Sequence, residues 1–327
     1  MNFRFLASAA ALALLTAHSA FGAATRPAVF DELQQNVWYL PTSDKMAQLY
    51  VTSLGQGPLV VFLHGGPGND FNYFVDALSP HAGLYKFILF DQRGSLLSPV
   101  PEDKVKTLRL SQLVDDLETL RIALKQDKLV LIGHSFGSYL ALSYFKQYPD
   151  RVAGLVLAAA FPPNGKLADV VKAMRPRQKA LQDRDVSAVL RAAGLPVDPM
   201  NDTPEQSSIR WRITRYASSD IVHLDRWRQV QGGNIYYNGS VDDAVGDSLP
   251  AALDIRATLK AYPIPITVIQ GDRDYLDPSA NGWRNIQRNA KSVTVDVLPQ
   301  ASHDGWIDAP ADFARDLEEG LARTTAH

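Results

Sequence analysis

The sequence predicts an α/β fold, a mainly parallel sheet flanked by helices and interrupted by an inserted helical module. Three observations carry this expectation. Short runs of β-branched and large apolar residues recur along the chain, each bounded by Gly, Pro or Asp. They are continuous rather than alternating, the pattern of strands covered on both faces. Helical patterns lie between them, so strand and helix alternate, as they do around a parallel sheet. The alternation then fails between about residues 165 and 262, where strand-like runs disappear and helix formers dominate.

In chain order the main candidate strands are LVVFL (59–63), FILF (87–90), LVLI (129–132), LVLA (155–158), ITVI (266–269) and VTVDVL (293–298). VWYL (37–40) and the segment around 49–51 are expected to add antiparallel strands at the start. Leu113, Leu117, Leu120 and Leu124 share one helical stripe, and Phe313, Leu317 and Leu321 share another near the end, the spacing of a buried helix face. Inside the module, Thr203 offers a cap, Pro204 occupies the first helical position, and Gln206 is placed to close a capping box. A further helix is expected over 176–192. The predicted organisation is a core over 23–164, a helical cap over 165–262 and a second part of the core over 263–327.

A chain of 327 residues can bury a large core. With 46% hydrophobic and 21% charged residues it has the composition of an ordinary folded protein. Its 33 basic and 35 acidic side chains leave a formal charge of -2, so it carries no electrostatic footprint for nucleic acid or an anionic membrane. The expected partner is a small molecule or a short peptide. There is no cysteine, which excludes both disulfides and thiolate catalysis. The first residues read as an export signal: Arg4 in a short positive start, an apolar run from Phe5 to about Ala17, and small residues at Ala20 and Gly22. The apolar run is shorter than the roughly 20 residues a spanning helix needs, so no stable membrane anchor is expected. The prediction is removal of 1–22 after Gly22 and a periplasmic or secreted location.

The chemistry is concentrated after the strands. Gly133-His134-Ser135-Phe136-Gly137 follows LVLI and precedes SYLALSYF, a run suited to a buried helix. A G-x-S-x-G at a strand-to-helix turn holds serine in a strained conformation with its hydroxyl exposed at the sheet edge, and the flanking glycines let other backbone come close. The Phe136 amide, at the helix start, points toward the oxygen that becomes charged in a tetrahedral intermediate. A second donor is expected from His64-Gly65-Gly66-Pro67-Gly68 after LVVFL, through the amide of Gly65 or Gly66. This loop lacks the Lys-Ser/Thr pair of a P-loop and the spacing of a dinucleotide fingerprint.

The base emerges by elimination among seven histidines. His18 lies in the signal and His327 ends the sequence, His64 and His134 belong to the two loops above, and His81 precedes the serine. His223 falls in the module, where a surface or lid role is the default. His303 follows VTVDVL and precedes the last helix, the position a triad running serine, acid, histidine requires. The acid should follow ITVI. Asp274 fits a G-x-x-D spacing, whereas Asp272 suits the turn and Asp277, before Pro278, suits a helix cap. The expected mechanism has Ser135 attack a carbonyl while His303 takes its proton and Asp274 orients the imidazole, through an acyl-enzyme that water resolves. No metal or organic cofactor is called for.

These motifs resemble the proline iminopeptidase-like branch of the α/β-hydrolase fold. The resemblance rests on HGGPG (64–68), DQRGS (91–95), LVDDLETLR (113–121) and GHSFGSYLALSYFKQYPDRV (133–152), with Asp274 and His303 in agreement. It covers about 51–310 apart from the module. It implies Ser135, Asp274 and His303 as catalytic residues, Phe136 with Gly65 or Gly66 as oxyanion donors, and a helical cap over the site. The function so implied is release of N-terminal residues from short peptides. The alternative is a carboxylesterase or lactonase acting on a small ester, because Phe136 and His134 stand where the family often has Trp and Gly, a choice shared with general esterases. Family peptidases hold the substrate amine with acidic cap residues, and this cap has only Glu205, with aspartates as substitutes. Five arginines, Arg210, Arg212, Arg215, Arg226 and Arg228, cluster around Trp211 and Trp227, facing either a carboxylate or solvent. Asp91 and Arg93 read on residues alone as a charged turn at a strand end.

Overall fold

Eight strands form one sheet in the computed structural model, which describes residues 26–163, 165–230 and 237–325. The expected export signal lies outside the described residues. The strands are β1 (Trp38–Pro41), β2 (Gln48–Gly55), β3 (Leu59–Leu63), β4 (Lys86–Phe90), β5 (Leu129–His134), β6 (Val152–Ala158), β7 (Ile266–Gly271) and β8 (Val293–Leu298). Their order is β1-β2-β4-β3-β5-β6-β7-β8. β1 and β2 pair antiparallel with each other, β2 pairs antiparallel with β4, and every pairing from β4 through β8 is parallel. This is an α/β-hydrolase fold.

The continuous apolar runs are explained by burial on both faces. Val61, Ile88, Leu131, Leu155 and Val268 join one core, while their chain neighbours Phe62, Leu89, Ile132, Val156 and Ile269 join the other. The helix Leu110–Ala123 covers the first face with Leu113, Leu117 and Leu120, alongside the helix Phe136–Gln147. The helix Pro310–Thr325 covers the second with Phe313, Leu317 and Leu321. Each such side chain stabilises the fold by about 1.5–3 kcal/mol on leaving water.

Between β6 and β7 the described residues hold helices and turns, with one isolated bridge between Lys166 and Ala252. The capping box forms as its residues suggest: Thr203 Oγ1 accepts from the Gln206 amide, and Gln206 Oε1 accepts from the Thr203 amide. The helix expected over 176–192 is different. One helix runs over Leu167–Gln182 with Pro176 inside it, and a second, short one covers Ser187–Ala192. Both differences are tertiary in origin. The first helix starts early because the Leu167 amide bonds the Ala251 carbonyl at 2.8 Å. The helix ends before Arg184, whose guanidinium donates both to the Leu181 carbonyl of its last turn and to the carbonyls of Ser218, Ile221 and Val222.

The turn after β4 is a brace. Arg93, 1% exposed, grips both oxygens of buried Asp116 at 2.5 and 2.6 Å and reaches Asp44 at 2.7 Å. It thereby ties β4 to the helix Leu110–Ala123 and to the β1–β2 turn. Asp91 accepts from the Phe71 and Leu97 amides, and burial, with the charge of Asp70 second, pushes its carboxyl up to about 7. Removing one member of a buried ion pair leaves an uncompensated charge, so Arg93→Ala is expected to cost about 3–5 kcal/mol in urea unfolding. A loss under about 1 kcal/mol would mean that the brace is dispensable.

Candidate active site

The strand order turns over between β3 and its two neighbours, and the C-terminal ends of β3, β5, β7 and β8 all open on one side, where ligands of open α/β sheets bind. Ser135 sits at the end of β5 with φ 52° and ψ −121°, a region that costs a non-glycine residue on the order of 1–3 kcal/mol. Surrounding contacts over-determine it. Its amide donates to the Ala158 carbonyl at 3.0 Å, and its own carbonyl accepts from Ser138 through both amide and hydroxyl. The flanking glycines serve close approach: a Cβ on Gly137 would run into the Leu63 carbonyl, and one on Gly133 would lie 2.6 Å from the Gly137 oxygen.

Loops after β7 and β8 bring the other two side chains to the serine. His303 Nε2 lies 2.9 Å from Ser135 Oγ, and His303 Nδ1 lies 3.2 Å from Asp274 Oδ2. Asp274 is fully buried and also accepts from the Leu276 amide at 2.8 Å. Tyr275 stacks on the imidazole with ring centres 4.3 Å apart, limiting its rotation. Burial works against the imidazolium, but the charge and hydrogen bond of Asp274, with a further contribution from Asp220, outweigh it and raise the His303 pKa.

The other acids take bland parts. Asp272 accepts from the Ala301 amide, bracing the turn, and Asp277 accepts from the Gly282 amide at the start of the helix Asn281–Gln287. His223 does not line the Ser135 cavity, and its amide bonds Asp308.

The two expected oxyanion loops flank Ser135. No described residue accepts a hydrogen bond from the Phe136 or Gly66 amide. Gly65 packs so close that a Cβ there would lie 2.9 Å from Ser135 Cβ, yet its amide donates to Tyr73 Oη at 2.5 Å. Gly65 would have to release that bond to serve an oxyanion; Gly66 is free to serve.

Tyr73 and His134 form a chain that local sequence pattern does not reveal. Because Tyr73 Oη accepts from Gly65, its proton points to His134 Nδ1, 2.8 Å away, and His134 Nε2 faces the His303 carbonyl at 3.4 Å. Burial, then the neighbouring His303, holds the His134 pKa well below the usual value, so the ring stays neutral. The glycine loop and the His303 loop are thus joined through one tyrosine and one histidine. A second strut comes from the DQRG turn, where the Gln92 amide donates to His64 Nε2 and its side chain donates to the His64 carbonyl.

Above Ser135 lies a cavity of about 340 Å³ whose lining includes Trp211, Arg215, Ser219, Asp220, Tyr275 and Asp304. Asp220 comes from the segment between β6 and β7, and its carbonyl accepts from the Asp304 amide at 2.9 Å. Burial raises the pKa of both carboxyls, with the charge of Asp220 second for Asp304, and those of Asp274 and Asp308 adding to burial for Asp220. Glu205, the one glutamate of that segment, is exposed and lies outside the cavity.

A family model for the α/β-hydrolase fold matches residues 58–310. The chain belongs to that family. It is 26% identical over 252 residues to a proline iminopeptidase of Flavobacterium johnsoniae, covering 71% of this chain and 80% of the relative. It is 24% identical over 266 residues to a putative 2-succinyl-6-hydroxy-2,4-cyclohexadiene-1-carboxylate synthase of Bacillus subtilis, covering 80% and 89%. A solved esterase from Thermogutta terrifontis superposes with a TM-score of 0.59 at 20% identity, covering 88% of this chain and 98% of that one. The α/β hydrolase is therefore proline iminopeptidase-like.

A base with a raised pKa loses activity as pH falls through that value. For an uncharged aryl ester, the acidic limb of kcat/KM is expected to lie above the ordinary histidine value of about 6.5. Asp220→Asn removes a charge that favours the imidazolium, so the limb should move to lower pH. A limb that stays in place, or moves up, would show that Asp220 does not act on His303.

Proposed function

We propose that this protein is an exported serine hydrolase that releases N-terminal residues from short peptides. Ser135 Oγ attacks the carbonyl of the first residue while His303 takes its proton and Asp274 holds the imidazole in the productive tautomer. The amides of Phe136 and Gly66 receive the oxyanion. The C–N bond breaks as His303 returns the proton to the departing amine, and water, activated by the same histidine, then hydrolyses the ester at Ser135.

One observation carries the choice of peptide over ester: two carboxyls, Asp220 and Asp304, line the same cavity as Ser135 and His303. Burial raises both pKa values, and among the described residues neither carboxyl has a lysine or arginine cation beside it. A substrate ammonium supplies it, and ionising the pair around that charge rewards the correct substrate. The segment over 165–262 acts here as the cap that delivers the amine. The aromatic walls, Trp211, Tyr216 and Tyr275, favour a second reading, an esterase or lactonase for a small apolar ester.

A panel of aminoacyl arylamides, aryl esters and lactones, with Ser135→Ala as control, separates the two. Turnover of prolyl or other aminoacyl arylamides that is lost in Ser135→Ala is expected. Rapid cleavage of aryl esters with no arylamide turned over would put the esterase reading in its place. We also propose that residues 1–22 direct export, on the order of positive start, apolar run and small residues. Sequencing the N-terminus of protein recovered outside the cytoplasm is expected to begin at Ala23; a retained Met1 would refute the signal.

A further inference from the structure

We propose that Arg215 anchors the C-terminal carboxylate of the substrate, so that the preferred substrates are free dipeptides bound as zwitterions. The inference rests on the aminopeptidase reading above and names its substrate class. Trp211, Arg215 and Ser219 are four residues apart along one helical stretch that runs from Pro204 to Asp220, and all three line the cavity. Exposure falls along this face, from 50% at Trp211 to 3% at Ser219. Trp211 and Arg215 therefore form the rim, and Ser219 and Asp220 the floor beside His303.

The spacing suits a short zwitterion. Arg215 and Asp220 are five residues apart, about one turn along a stretch that is π-helical over Arg212–Ala217, with Arg215 on the exposed rim. A dipeptide spans about 7 Å at roughly 3.3–3.6 Å per extended residue. A cavity of about 340 Å³ is at the small end for ligand sites, which run from about 300 to 1,000 Å³. With the ammonium on the floor at Asp220 and Asp304, the far carboxylate of a dipeptide arrives at the rim.

Arg215 is also the arginine of its cluster that lines the cavity. Arg210 is paired with Asp202, and Arg226 donates to the Ile307 and Asp308 carbonyls. Arg215 has no carboxylate partner among the described residues, and its guanidinium lies 5.1 Å from the centre of the Trp211 ring. Stacking on an indole holds the planar group while leaving its N–H fork free for a carboxylate.

The test compares kcat/KM for prolyl-alanine and prolyl-alaninamide, which differ only in the carboxylate, for wild type, Arg215→Gln and Arg215→Lys. The acid-to-amide ratio is the readout, because it cancels any general loss of activity; fluorophosphonate labelling of Ser135 verifies that each variant is folded. The ratio is expected to be about tenfold or more in wild type, carried mainly by KM, near one in Arg215→Gln, and intermediate in Arg215→Lys. The proposal is overturned if wild type turns over prolyl arylamides yet treats acid and amide alike, or if Arg215→Gln keeps the preference. Absence of turnover of every aminoacyl substrate, with ester cleavage intact, overturns the aminopeptidase reading together with it.

Discussion

The site depends on one close approach. Backbone around Ser135 is pressed against the end of β3, with Gly137 against the Leu63 carbonyl and Gly65 against Ser135 itself. Only glycine allows this, since any Cβ at Gly137 would occupy space already filled. The approach sets two things together: it keeps Ser135 in its strained conformation, and it brings the HGGPG loop alongside the serine. The strain is sustained by hydrogen bonds to the Ala158 carbonyl and from Ser138, which the parallel sheet and the following helix supply.

Around that contact the molecule uses buried polar links in place of disulfides. Gln92 pins His64, Arg93 clamps Asp116 and Asp44, and Tyr73 with His134 connects the glycine loop to the His303 loop. Two motifs that stand apart in the sequence, HGGPG and DQRG, are thus one mechanical unit. The DQRG turn does not touch the cavity; it holds the loop that does. Such links are informative because a buried polar group that loses its partner costs more than the bond itself contributes.

Charge is graded across the cavity. Asp274 and Asp220 favour positive charge on the imidazole, and the rim of the cavity carries Arg215. Asp220, one of the two carboxyls proposed above to meet a substrate amine, also raises the His303 pKa, so under that proposal binding and proton transfer share one field.

The strands and the side chains that meet at Ser135 were legible from local pattern. Continuous apolar runs mark strands buried on both faces, and glycine-flanked Ser135 after a strand marks the sharp turn, because each is imposed by the steric needs of neighbouring residues. The late His303 and the G-x-x-D ending at Asp274 were likewise readable, since chain order follows from sheet order. Tertiary structure alone decided the rest. The helix over Leu167–Gln182 starts where residue 251 pairs with it and ends where Arg184 bonds its last turn to the carbonyls of Ser218, Ile221 and Val222, and no local propensity records either set of partners. Tyr73 and Asp220 show the same limit: one is an aromatic among aromatics, the other an aspartate among the polar residues between β6 and β7. Their significance comes from groups 61 and 83 positions away, His134 and His303, and contacts across such separations exist only once the chain has folded.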